Sequence, residues 1–165
     1  VGLIRTPLMS RGTATLISLQ EDRFVAALPR RNPLAAKQPL TLADLAQERF
    51  VMYAQTEASG LHAAAMAACQ TAGFLPRITQ EATQIQTVLA LVESGLGVAL
   101  VPSIMRRFGS DKLVYSTLAN YPNTTSIGIA LAFSPHADGP AIRHFREVAI
   151  AEFAGDAPAR SEKRS

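Results

Sequence analysis

Residues 80–102, QEATQIQTVLALVESGLGVALVP, leave little freedom over what they fold into. Ile85, Val88, Leu89 and Val92 recur at i, i+3, i+4 and i+7, the apolar stripe of a helix lying on a core. Thr83 stands at the N-cap position, and Gln86 three residues on completes a capping box. Gly95 is placed to end the helix, Gly97 to make a tight turn, and the apolar run from Val98 to Val101 to form a strand that Pro102 stops. Residues 77–82, just upstream, read as extended. The unit is strand, helix, strand.

Its chemical interest lies at the start of the helix. There Thr83, Gln84, Ile85 and Gln86 occupy the positive end of the helix dipole, where free N–H groups favour an anion by roughly 0.3–1 kcal/mol when exposed. In open parallel sheets the ligand crevice lies beyond the carboxyl ends of the strands, where such helices begin. Residues 54–60, Ala54-Gln55-Thr56-Glu57-Ala58-Ser59-Gly60, repeat the arrangement. They link the strand at residues 50–53 to a helix with Leu61, Ala65, Ala68, Cys69 and Ala72 as its buried stripe, Ser59 as N-cap and Gly73 as terminator. Two helix starts thus form two candidate walls of a ligand site. The plainer alternative is that Thr83 caps its own helix, the glutamines are solvated, and residues 54–60 are a solvated connection.

The remaining segments extend the alternation. Residues 1–4 read as a buried strand, and residues 13–19 and 24–28 as extended pieces separated by a polar turn at 20–23. Residues 29–39, with three prolines and three basic residues, read as a loop. Thr41 caps a helical turn reaching about residue 47. A short helix at 103–108 ends on Arg106 and Arg107; strands follow at 113–118 and 127–133, the latter apolar enough to be central, with a turn at 120–125 between them. Pro140 opens a last helix with Ile142, Phe145, Ala149 and Phe153 as its stripe. Strands alternating with helices predict an α/β sheet with right-handed crossovers.

A length of 165 residues suits one domain, and 48% hydrophobic against 18% charged residues marks it as globular. Of the net charge of +3, residues 160–165 supply +2, from three basic residues and one acid, so the rest is nearly neutral and carries no footprint for nucleic acid. The lone Cys69 allows no internal disulfide and fits a reducing compartment. No apolar run is long enough to span a membrane, and no secretion leader is visible. His62, His136 and His144 are not at metal-ligand spacing, and no nucleophile elbow or zinc motif occurs, so neither a catalytic centre, a metal nor a cofactor is expected. Gly95-Leu96-Gly97 half-mimics a dinucleotide fingerprint, but it follows a helix and precedes a strand, the reverse of the required context. Residues 123–125 form a glycosylation sequon by pattern only.

In this order the segments resemble the effector-binding domain of LysR-type transcriptional regulators. Residues 81–102 are similar to the signature stretch of that family, and Val1-Gly2-Leu3-Ile4-Arg5 resembles its D-(I/V)-G-(I/L)-x-R strand. FVAALPRRNPLA, residues 24–35, resembles a hydrophobic strand followed by HPLA, with Asn32 where histidine is common. Thr41-Leu42-Ala43-Asp44-Leu45 matches L-x-D-L ahead of the strand at 50–53. The resemblance covers about residues 1–153; each motif is weak alone, and their order and spacing together are specific.

The resemblance implies a two-subdomain, periplasmic-binding-protein-like α/β fold with mainly parallel sheets. Residues 29–118 would form subdomain II, residues 1–28 and 119–154 an incomplete subdomain I, and residues 155–165 a disordered tail. The chain opens in mid-strand and reads as a fragment without the family's N-terminal winged helix-turn-helix. The implied function is non-enzymatic: a small effector, expected to be a carboxylate, binds between the subdomains and controls transcription. The implied partners are that effector, promoter DNA through the N-terminal domain, and further copies in a dimer or tetramer, in the cytoplasm and away from membranes. By position the effector-binding residues are Leu3 and Arg5 on one side, with Ala54, Gln55, Thr56, Thr83, Gln84 and Ile85 on the other. Arg5 is the cation expected to meet the carboxylate, with a structural salt bridge as its alternative. Ala54 stands where relatives often carry proline, and Gln84 where an acid is frequent. A solute-binding protein or an enzyme on the same two-lobed scaffold is the alternative reading.

Overall fold

The computed structural model describes residues 1–7, 13–56, 59–122, 126–134 and 139–154. In chain order these form β1 (Gly2–Thr6), β2 (Thr15–Asp22), β3 (Phe24–Pro29), β4 (Leu40–Thr41), β5 (Arg49–Tyr53), α1 (Ser59–Thr71), β6 (Arg77–Ala82), α2 (Ile85–Glu93), β7 (Ala99–Pro102), β8 (Leu113–Ser116), β9 (Leu118–Ala119), β10 (Ile127–Phe133) and α3 (Pro140–Ala154). Short 3-10 helices lie at Pro33–Ala36, Leu42–Leu45 and Ser103–Phe108.

The unit read at residues 77–102 is present and sits at the centre. β6 runs parallel to β5, with Tyr53 opposite Ala82. On the other side of β5, Val98 donates to the Arg49 carbonyl at 2.8 Å and accepts from Val51 N–H at 2.9 Å, which seats β7 beside β5 in parallel. β7 pairs with β3, and β3 with β8, so the hydrogen-bonded order is β6, β5, β7, β3, β8. The runs Phe24 to Leu28 and Val98 to Val101 are apolar throughout because both faces of these strands are covered: every residue in them is at most 2% exposed. α2 lays Val88 and Val92 into this core, and α1 adds Ala65, Ala68 and Cys69.

Both helices end in the same way. Gly73 and Gly95 adopt φ of +88° and +79°. Their N–H groups bond to Gln70 and Val92, and the next residues, Phe74 and Leu96, reach back to Cys69 and Leu91. This Schellman closure satisfies carbonyls that would otherwise be orphaned. The start of α2 differs from expectation. Its N-cap is Gln84, not Thr83, and the Gln84 side chain makes no cap bond. β6 stays paired as far as Ala82, whose carbonyl accepts from Ala54 N–H at 2.9 Å, so the chain needs both Thr83 and Gln84 to turn into the helix.

A second, three-stranded sheet has β10 at its centre, antiparallel to β1 and β2. Residues 20–22 are not a turn: they continue β2 along β10, and Arg23 alone separates β2 from β3. The chain crosses there from one sheet to the other. Because β3 pairs with β7 and β8, residues 24–28 belong to the larger sheet. Parallel pairing holds for β5 with β6, β5 with β7, and β4 with β9; the other ladders are antiparallel, because segments arriving from the opposite sheet run against the strands they meet. The strand read at 113–118 is broken at Thr117 into β8 and β9. β1 is half exposed, with Leu3 at 49%, and the stripe of α3 buries only Ala149 against Leu131 and Phe133. Residues 123–125, His136 and residues 155–165 lie outside the described residues.

Two measurements probe this frame. A Cβ on Gly97 would lie 2.6 Å from the Arg49 carbonyl oxygen, whereas one on Gly95 meets nothing within 4 Å and suffers only its left-handed backbone. Gly97→Ala therefore forces β5 and β7 apart, at about 1–3 kcal/mol or more, against roughly 1–2 kcal/mol for Gly95→Ala. Urea unfolding checks the order; equal losses would contradict the close approach. Asp44 accepts from Lys37 Nζ at 2.6 Å and from Thr41 N–H and Oγ1 at 2.8 Å each. Led by the Lys37 bond, these hold its carboxyl down at about 2. An unfolded carboxyl of this kind titrates near about 3.9. The depressed folded value thus contributes stability that is present above about pH 4 and lost as pH falls towards 2. Asp44→Asn flattens that part of an acid-unfolding profile.

Candidate functional site

A cavity of about 390 Å³ opens between the two sheets. Arg5 on β1, Gln20 and Asp22 on β2, and residues 127–129 on β10 form one side. Leu61 on α1, Gln86 and Leu89 on α2, and Pro102, Ile104, Met105 and Phe108 around the third 3-10 helix form the other. The wall is mainly apolar with a few polar groups, as small-molecule sites usually are.

Asp22 joins the two sides. Its Oδ1 accepts from Ser103 Oγ at 2.5 Å, Ser103 N–H at 3.3 Å and Arg23 N–H at 2.7 Å, and its Oδ2 accepts from Ile104 N–H at 3.4 Å. Ser103 N–H also reaches the Arg23 carbonyl at 3.0 Å. The carboxylate thus occupies the first turn of the 3-10 helix that carries Ile104, Met105 and Phe108. Gly128 on β10 lies against the Gln20 carbonyl, where a Cβ has no room, so the floor between β10 and β2 is backbone in contact with backbone.

Arg5 stands opposite Ile129 in the β1–β10 ladder, exposed at the cavity wall. Among the described residues it makes no hydrogen bond or ion pair; the structural salt bridge held open as its alternative role does not form there. Its charge reaches Tyr53, the last residue of β5. Burial pushes the Tyr53 phenol well above its usual range, and Arg5 pulls the other way. The Tyr53 hydroxyl is buried and has no hydrogen-bond partner among the described residues. The Tyr53 carbonyl is 2.7 Å from His62 Nδ1. A carbonyl only accepts, so Nδ1 is the donor in this bond. Gly60 packs against the Pro7 carbonyl, bringing the first turn of α1 against the end of β1.

Of the residues expected from the sequence, Arg5 lines the cavity. Leu3, two positions earlier on the same face of β1, is exposed off the wall. Ala54, Gln55 and Thr56 leave the end of β5 beside Thr83, Gln84 and Ile85 at the end of β6, because Tyr53 and Ala82 are register partners. The structure therefore brings these two groups side by side, yet neither is on the cavity wall. Gln55, Thr56, Thr83 and Gln84 are exposed, and Ile85 turns its side chain into the core. The wall takes the next residues along: Gln86, which the helix-start pattern marked, and Leu61, read as core. Gln20 and Asp22 were hidden by the polar composition of residues 20–23, which resembles a turn. No local pattern marked residues 127–129.

Among the described residues no group of three or more His, Cys, Asp or Glu is placed to hold a metal ion. No described helix is long and apolar enough to cross a membrane. Cys69 is buried, and burial pushes its thiol up to about 12, far from a nucleophile at neutral pH.

The family model described as the LysR substrate binding domain matches residues 1–154. The HTH-type transcriptional regulator AlsR of Bacillus subtilis (strain 168) is 32% identical over 146 residues, which are 88% of this chain and 47% of that protein. Among solved structures, the BenM effector binding domain with its effector benzoate superposes with a TM-score of 0.75 at 20% identity, covering 99% of this chain and 75% of that one. The effector binding domain of QuiR in complex with shikimate gives 0.78 at 18% identity, covering 93% and 72%. The structural likeness, at these identities, concerns the fold. The chain spans about half the length of the curated relatives named first, AlsR among them.

Removal of the Asp22 carboxylate tests the clasp between the two sides. Asp22→Ala leaves the Ser103 hydroxyl and Ile104 N–H without their acceptor, while Ser103 N–H keeps the Arg23 carbonyl, at about 1–3 kcal/mol. The loss appears as a lower urea midpoint that Ser103→Ala in the same chain does not deepen additively. Additive losses would mean the two residues act separately.

Proposed function

The chain belongs to the LysR substrate-binding-domain family and is an effector-binding domain of a LysR-type regulator; from that premise we propose that it senses a small carboxylate in the cavity between its two sheets. The observation that carries this reading is Arg5, a guanidinium on the cavity wall with no hydrogen-bond or ion-pair partner among the described residues. An arginine fork matches a carboxylate in two parallel hydrogen bonds. The apolar residues Leu61, Leu89, Ile104 and Met105 suit the body of such a ligand. Benzoate and shikimate, the ligands of the BenM and QuiR domains, are both carboxylates.

In this proposal Arg5 holds the carboxylate, with Leu3 beside it on the same face of β1. Ala54, Gln55 and Thr56 and the uncapped start of α2, from Thr83 to Ile85, approach from the larger sheet. The two sheets stand for the two subdomains of the fold. The ligand favours one arrangement of them over another and passes a coupling of about 1–3 kcal/mol to neighbouring subunits and to an attached DNA-binding domain. The protein acts as a homo-oligomeric, non-catalytic regulator of transcription in the cytoplasm. AlsR, named as an HTH-type regulator, supports the DNA-binding part of this reading.

Thermal unfolding with benzoate, shikimate and the neutral benzamide tests it. A carboxylate raises the melting temperature in a dose-dependent way, by an amount corresponding to about 2.7 kcal/mol at a hundredfold excess over Kd. Benzamide does not. Arg5→Ala removes a charge-assisted contact of about 1.5–3 kcal/mol, roughly ten- to a hundredfold in affinity. An equal response to benzamide, or an unchanged response in Arg5→Ala, overturns the assignment.

A further inference from the structure

A second cavity, of about 680 Å³, lies beside β8 and takes no part in the site above. β8 pairs with β3 along one edge, and the cavity runs along Val114 to Thr117, faced by residues 37–40. Two cations from different segments line it: Lys37 after the first 3-10 helix, and Arg106 from the third. The other polar groups on its wall are neutral, namely the Gln38 amide and the hydroxyls of Ser116 and Thr117, while the Tyr115 hydroxyl is buried away from it. No acidic side chain is among the described residues lining it. In the cavity between the sheets, by contrast, the cation Arg5 shares the wall with Asp22 and a largely apolar surface.

The two cations are held differently. Arg106 Nη2 donates to Thr117 Oγ1 at 2.5 Å, which orients the guanidinium at the wall and leaves its remaining donors uncommitted to this bond. Lys37 Nζ is 2.6 Å from Asp44, a carboxylate off the wall that is itself tied to Thr41. An arginine fork and a lysine point charge on one wall are donors that suit a phosphate. A phosphate monoester carries about −1.5 to −2 charges at pH 7, against the single carboxylate charge of Asp44 with which it shares Lys37. The amide and hydroxyls suit a hydroxylated body, and the cavity has the volume for one. We propose that this cavity is a second ligand site, for a small sugar phosphate, held at its phosphate by Arg106 and Lys37. It is independent of the carboxylate site, so either can fail alone.

Isothermal titration of the 165-residue chain with ribose-5-phosphate, and with ribose as the neutral control, tests it. The phosphate ester binds saturably at one site and ribose does not. Arg106→Ala weakens binding roughly tenfold or more, Arg106→Lys recovers part of the loss by restoring charge without the fork, and Arg5→Ala leaves it unchanged. Arg106 is exposed, and far-ultraviolet circular dichroism of both variants checks that they fold as the parent does. Absence of saturable heat, equal binding in Arg106→Ala, or equal binding of ribose overturns the proposal. So does loss of binding in Arg5→Ala, which would place the anion between the sheets.

Discussion

The seam between β5 and β7 decides where everything else stands. It rests on two backbone hydrogen bonds to Val98 and on the absence of a side chain at Gly97, which lets one strand approach the other's carbonyl directly. α2 leaves β6 on one side of β5 and returns to β7 on the other, so the seam fixes the helix over the sheet. That in turn places Gln86 and Leu89 on the cavity wall. The same seam sets β7 against β3, and through β3 it positions β8, whose outer edge borders the second cavity. Both candidate sites are therefore referred to one contact that contains no functional side chain.

The crossing from β2 to β3 is the second constraint, and it works through polarity rather than packing. A single residue, Arg23, separates the strands. Asp22 shortens the free span further by bonding across to Ser103 and Ile104. The crossing is consequently fastened to the segment that walls the cavity. Any rearrangement of the sheets has to carry Ile104, Met105 and Phe108 with it, which connects cavity shape to the relation of the two sheets.

The central unit was legible in the sequence because its signals are local and agree: apolar period, glycine stop, apolar strand, proline. The helix at α1, the strand at β5 and the central place of β10 follow from the same kind of signal. What local pattern did not disclose depends on partners distant in the chain. Residues 20–22 have a turn's composition, and only β10, more than a hundred residues on, makes them a strand. Thr83 has the ideal side chain for a cap, but pairing of Ala82 with β5 moves the helix start beyond it. Arg5 was placed by family resemblance and does reach the cavity, whereas its neighbours on that wall, Asp22, Ile104 and Ile129, come from three segments that no single motif spans.

The two Schellman closures carry a consequence of a different sort. Gly73 and Gly95 lock α1 and α2 at the ends remote from the cavity, and the near end of α2 is held by no side chain of its own. The Gln84 carbonyl still takes the first helical bond, from Val88 N–H, but its side chain makes no cap bond to the helix. A change of side chain at residues 83 and 84 alters what the helix start presents without altering where the helix lies. The fold thus separates anchorage from surface chemistry along the length of a single nine-residue helix, and side chains at one end can vary while the other keeps the architecture in place.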